Sequence, residues 1–204
     1  MVVALVLTGA LVVLVLFQVA LALGAPWGRF AWGGSAGALP VGLRIVSAAS
    51  ALVYAVIAGL ALDLAGALDL LPNKLSHVGI WVAADLLPLG VVLNALSRSR
   101  PQRLVMVPVS VVLVALTFVV ALAGPVPRQF AGAVVDAGQG PRHCTVVMAS
   151  YPPRCGPDSP VIDGWDWTRV AHQRSGTVRW GDYRFEGIRD RGRIALVGPA
   201  VPIG

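Results

Sequence analysis

Charge is scarce in the first part of this chain. Residues 1–124 hold 9 charged side chains, 6 basic and 3 acidic, whereas the last 80 residues hold 17. A water-soluble domain carries about a quarter of its residues charged, so residues 1–124 do not read as one. Clustered charge is lacking as well. The formal net charge of +6 divides as +3 and +3 between the two parts, with no run of five like charges. That even spread argues against a nucleic-acid-binding face. Residues 1–23 contain no Lys or Arg, so the basic leader of a secretory signal is missing. The apolar stretch there also exceeds the roughly 7–15 residues of a signal core, and an uncleaved helix is expected. Cysteine is limited to Cys144 and Cys155, which rules out a four-thiolate metal site. His143 and His172 beside that pair lack zinc-ligand spacing, so no metal or cofactor is expected.

Long apolar runs are what the chain has in abundance. Residues 2–23, 45–67, 78–96 and 104–123 each approach the roughly 20 residues that span a bilayer as a helix. The expected fold is a membrane all-α unit, a four-helix transmembrane bundle over 1–124, plus a small all-β extracytoplasmic domain. Residues 125–142 read as a Gly- and Pro-containing linker, and the β domain as 143–204.

Arginines set the expected orientation. Arg29 and Arg44 fall between spans one and two, and Arg98, Arg100 and Arg103 between spans three and four. The opposite side has Lys74 alone among its short segments. Short loops rich in Lys and Arg stay cytoplasmic, so both termini are expected outside the cytoplasmic membrane. Cys144 and Cys155 then lie together on the oxidising side and read as a disulfide.

Within the bundle, Ser47, Ala51, Ala55 and Gly59 recur every fourth residue and predict a helix-packing face, within the bundle or in a homo-oligomer. Asp63 and Asp85 are costly inside a span, and with His77 they predict one intramembrane polar pocket above Pro88. Trp27, Phe30 and Trp32 beside Arg29 suit a loop lying at the headgroup level. Its glycines neither follow a strand nor open a helix, so it is not a phosphate loop.

In the tail, Cys144 to Met148 reads as a strand and Tyr151 to Cys155 as the return to the cysteine partner. Thr177 to Ile188 alternates, Asp190-Arg191-Gly192-Arg193 reads as a turn, and Ile194 to Val197 as its return strand. Short strands with turns predict a small barrel or sandwich, of OB-like type. Trp165-Asp166-Trp167 is a candidate ligand platform, set against plain core packing. Ser150, His143, His172, Asp163 and Asp166 are the residues available for nucleophilic catalysis, and no motif orders them.

Gly24-Ala25-Pro26-Trp27-Gly28, Ala31-Trp32-Gly33-Gly34, Leu39-Pro40, Leu43-Arg44, Asn94-Ala95 and Ser97-Arg98-Ser99-Arg100-Pro101 resemble a group of uncharacterised small four-span membrane proteins, mainly of Gram-positive bacteria. Ser150-Tyr151-Pro152-Pro153, Cys155-Gly156 and Gly164-Trp165-Asp166-Trp167 are similar to uncharacterised actinobacterial exported domains. The resemblance implies a four-span anchor and an exported tail, and it transfers no catalytic residue. The expected function is non-enzymatic: a lipid-embedded protein that displays its β module to an envelope component or protein partner. The alternatives are a small transporter or ion- or proton-coupled sensor using Asp63 and Asp85, and a membrane-bound enzyme with its site in the tail.

Overall fold

The computed structural model describes residues 1–34 and 37–203. The chain forms two compact units, Met1–Leu68 with Asn73–Gly124, and Asp69–Pro72 with Pro125–Gly204.

The first unit is four helices, α1 (Val2–Ala22), α2 (Val41–Leu64), α3 (Asn73–Ala95) and α4 (Arg100–Ala123). Each is long and apolar enough to cross a membrane. Helices α2, α3 and α4 begin at 41, 73 and 100 rather than at 45, 78 and 104. An apolar count stops at polar residues, whereas the helix continues through them to its cap. For α4 that cap is Ser99, whose Oγ accepts from the Gln102 N–H, with Pro101 in the first turn.

Each helix packs on two others, α1 on α2 and α4, α3 on α2 and α4, giving a four-membered ring. Its core joins Leu7, Leu11, Ala61, Leu64, Ile80 and Val120. All of these lie toward the end of the bundle that carries the α2–α3 connection. On α3 the core residues precede Pro88, and on α4 they follow Pro108. Each proline removes one helix hydrogen bond, and its ring bends the axis. The predicted packing face is corrected in part. Ser47 and Ala51 are buried, but Ala55 is exposed and Gly59 faces open space, while Ala58 and Ala61 take their place. A four-residue step overshoots a 3.6-residue turn by about 40°, so a ridge of that spacing rotates out of the interface within three steps.

The second unit is built on strands β1 (Arg128–Asp136), β2 (Arg142–His143), β3 (Val147–Met148), β4 (Arg154–Cys155), β5 (Val161–Asp163), β6 (Gln173–Ser175), β7 (Val178–Asp190), β8 (Arg193–Leu196) and β9 (Val201–Pro202). Strand β1 pairs β2, β2 pairs β5, β5 pairs β8 in parallel, β8 pairs β7, and β7 returns to β1. Five strands therefore close a ring, a barrel rather than a sandwich. Strand β7 is its spine: Tyr183 and Phe185 point inward in alternation with exposed Asp182, Arg184 and Glu186. Val134, Ile162, Trp167 and Ile194 complete the core. Gly187 lies where any Cβ would collide with Ile194, so the inward row ends on a residue without a side chain.

Two expectations are corrected. Residues 125–142 are not a tether, because 128–136 form β1 and pair with β7 along their whole length. Pro125 and Pro127 precede that strand, and Gly138 and Gly140 form the turn after it; most of the Gly and Pro bracket the strand. The expected strand 144–148 shrinks to Val147–Met148, which pairs with Arg154–Cys155 in a separate two-stranded hairpin. The β7–β8 hairpin matches expectation. Its two-residue turn has φ of 45° at Arg191 and 76° at Gly192, the positive pair that a type I′ turn demands. Within this unit Asp69 accepts from Arg189 Nε at 3.1 Å and from the Arg191 N–H at 3.0 Å.

Candidate functional sites

The bundle does not gather Asp63, His77 and Asp85 into one pocket. Asp63 is buried near the end of α2 and accepts from the Ser76 hydroxyl at 2.6 Å. His77 Nε2 lies 2.9 Å from the Ala121 carbonyl and 3.2 Å from Trp81 Nε1. Nε2 donates to Ala121 in one tautomer and accepts from Trp81 in the other. Asp85 faces outward near the middle of α3, among exposed Val78, Val82, Leu86 and Leu89. The three residues occupy three environments because their faces are set by helix rotation, which proximity in a topology diagram does not report. That removes the shared site on which an ion-coupled reading rested.

The other end of the bundle carries a polar network that sequence reasoning missed. Gln102 is its hub: Oε1 accepts from Ser97 Oγ at 2.7 Å and the Gly33 N–H at 2.9 Å, while Nε2 donates to Asn94 Oδ1 at 3.0 Å. Trp32 Nε1 donates to buried Ser47 at 2.9 Å, and Ser99 Oγ donates to the Arg29 carbonyl at 2.6 Å. The 25–34 loop is thereby folded onto the helix ends. Trp27 and Trp32 keep exposed faces, and Trp27 stacks on Phe17. Two of the topology arginines also close helix ends: Arg44 Nε donates to the Ala22 carbonyl at 2.7 Å, and Arg103 Nη1 to that of Ser97 at 3.0 Å. No local pattern marks this network, because Gln102 draws its partners from Asn94, Ser97 and, 69 positions away, Gly33.

In the barrel, Cys144 and Cys155 form the expected disulfide. The lobe they close exposes Val146, Val147, Met148 and Tyr151, the last 82% accessible and edge-on to Trp180. Trp165-Asp166-Trp167 is corrected from a ligand platform to core and cap. Trp167 is buried and donates Nε1–H to Asp136 at 3.2 Å, while Trp165 packs edge-on against Tyr183 and Phe185. Asp166 accepts from the Thr168 N–H and hydroxyl; these bonds hold its carboxyl below the ordinary carboxylate range. Trp165 Nε1–H is buried with no acceptor. Trp167→Phe should therefore destabilise the module more than Trp165→Phe, by about 1.5–3 kcal/mol for a bond to a charged acceptor. Urea midpoints of the two variants check this, and equal losses would refute it.

The residues available for catalysis do not assemble. Ser150 donates to the Pro152 carbonyl, His143 lies against Phe130 and Phe185, and His172 against Trp167. Asp163 pairs with Arg193, whose hydrogen bond lowers the carboxyl's pKa. Among the described residues no group of three His, Cys, Asp or Glu side chains is placed to hold a metal. Tyr183 donates its hydroxyl to the Ala171 carbonyl at 2.7 Å, and burial, then the Asp182 charge, raise its pKa. A raised folded pKa means stability is complete below the ordinary value of about 10 and is lost as pH climbs past it. Tyr183→Phe should flatten that alkaline loss while costing about 1 kcal/mol at neutral pH; unfolding midpoints between pH 7 and 11 are the measurement.

No family model, curated protein or solved structure matches the chain.

Proposed function

We propose that the protein spans the cytoplasmic membrane four times, holds its barrel outside the cytoplasm, and binds an envelope component there through the disulfide-closed lobe 144–155. The single observation that carries the binding reading is the lobe's apolar tip. Val146, Val147, Met148 and Tyr151 stand exposed, whereas Val134, Ile162, Tyr183, Phe185 and Ile194 of the same module are buried. An exposed apolar cluster on a water-facing module marks a contact surface. The ring order supports an OB-like barrel. In its five-stranded ring the lobe is inserted between the second and third strands, β2 and β5. The disulfide supports an oxidising location, and the five arginines at one set of helix connections support the polarity.

Polarity is tested with an impermeant maleimide on intact cells. Thr177→Cys, exposed in the barrel, should label, and Ala38→Cys, exposed in the α1–α2 connection, should not; the reverse pattern overturns the reading. Binding is tested by placing a photo-crosslinking side chain at Tyr151 in the full-length protein in cells. A discrete adduct lost on Val147→Asp supports the lobe as the contact, and an adduct indifferent to that change refutes it.

A further inference from the structure

The outward side of α3 carries one residue that lipid cannot satisfy. Asp85 is the thirteenth of the 23 residues in this helix, about 18 Å from one end and 15 Å from the other at 1.5 Å per residue. In a hydrocarbon layer about 30 Å thick, that is close to the middle. Its stem is a single methylene, so it cannot snorkel to a headgroup as a long Lys or Arg chain does. Val78, Val82, Leu86, Leu89 and Val92 stand exposed on the same side.

Several other polar groups of the spans are settled inside the bundle. Ser50, Ser110 and Thr117 each donate to a carbonyl of their own helix, and Asp63 accepts from Ser76. Asp85 has no hydrogen bond or ion pair among the described residues. A carboxylate at this depth is costly unless an opposite charge or a water-filled cavity receives it, and Asp85 faces neither.

A second copy of the chain does not bring the missing charge. Every Lys and Arg of the four helices lies within the first four residues of its helix: Arg44 in α2, Lys74 in α3, Arg100 and Arg103 in α4. Helix α1 has none. Whichever way two copies face, their cations stay at helix ends. A two-fold contact through α3 would bring the two Asp85 carboxylates toward each other instead.

We infer that the Asp85 face of α3 docks a transmembrane helix of a different protein, one carrying a Lys or Arg near the middle of its span. The cation supplies the opposite charge and the N–H donors together, where no water competes for either ion. The exposed stripe from Val78 to Val92 supplies the rest of the contact by side-chain packing, which drives helix association in lipid. This rests on the bundle spanning a bilayer, and not on which side holds the barrel or on what the lobe binds.

The probe is a synthetic Leu-Ala span of about 20 residues with one central Lys, added to full-length protein in phosphatidylcholine vesicles. A photo-crosslinking side chain replaces Leu89 or, as a reference on the exposed side of α2, Leu52. Expected at Leu89 is an adduct about tenfold stronger with the Lys peptide than with its all-apolar counterpart, and no such preference at Leu52. Asp85→Asn should remove the preference and Asp85→Glu should keep it; Asp85 is exposed, so neither change disturbs the packed core. Moving the Lys to the end of the peptide should remove it too. Weak labelling by the apolar peptide at both positions reports insertion of the bundle separately, so a missing Lys preference alongside it overturns the docking inference alone. No labelling at all overturns the spanning reading and the inference with it. In cells, the crosslinker at Leu89 should capture a span with a Lys or Arg at mid-depth, the yield falling about tenfold in Asp85→Asn. Capture of a second copy of the chain, capture of a span without such a residue, or a yield indifferent to Asp85→Asn overturns the inference.

Discussion

Serine at both Cys144 and Cys155 should lower the unfolding free energy of the barrel by about 3 kcal/mol. The bridge spans a sequence separation of 11, and chain-entropy closure of so short a loop contributes about that amount. For a module near 80 residues that is a large share of a total of roughly 4–12 kcal/mol. It should appear as a fall in the thermal midpoint of more than about 10 °C. The loss reaches the ring, since the base of the lobe is tied into it. The Cys144 N–H donates to the Ala133 carbonyl of β1 at 2.8 Å, and the Gly156 N–H donates to Val146 at 2.9 Å. Freeing the lobe loosens the two-residue β2, whose pairings with β1 and β5 close one side of the barrel. Tryptophan fluorescence on heating, with and without reductant, measures this, and a shift under about 3 °C would show that the ring holds its register unaided. Faster proteolysis near Val146–Met148 in the reduced protein should accompany it.

Local pattern was enough to find the four helices, the cysteine pair and the β7–β8 hairpin, because each is written in neighbouring residues. A run of about 20 apolar residues, two lone cysteines and an Arg-Gly pair between alternating strands need no distant partner to be recognised. What stayed hidden depends on partners far away in sequence. Strand β1 looks like a tether until Phe130 is set against Phe185, 5.4 Å between ring centres. Gln102 is one more polar residue near a helix start until Gly33, 69 positions earlier, is found donating to it. The Ser47–Gly59 ridge failed for a different reason. Four-residue spacing was read as a straight face, whereas the contact follows the helix twist to Ala58 and Ala61.

Asp85→Leu should make α3 insert into a bilayer more favourably by about 3–4 kcal/mol. On insertion scales a central Asp costs roughly 2.5–3.5 kcal/mol and a central Leu contributes about 0.3–0.6. Asp85 is residue 13 of the 23 in α3, and its side chain is exposed on an otherwise apolar stripe that includes Val82, Leu86 and Leu89. A segment-insertion reporter carrying α3 alone should register a more than hundredfold shift in its inserted-to-translocated ratio, at about 1.4 kcal/mol per tenfold. Asp63→Leu in the full-length protein should act the other way. Asp63 is buried and takes the Ser76 hydroxyl, so its loss strands a buried donor at about 1–3 kcal/mol. Opposite signs for two aspartates of one bundle would locate one on the outside and one within it. An Asp85→Leu variant that loses stability instead would place this carboxylate against a polar partner, a second copy of the chain or another span, and that partner would then be the reason for keeping so costly a residue at mid-helix.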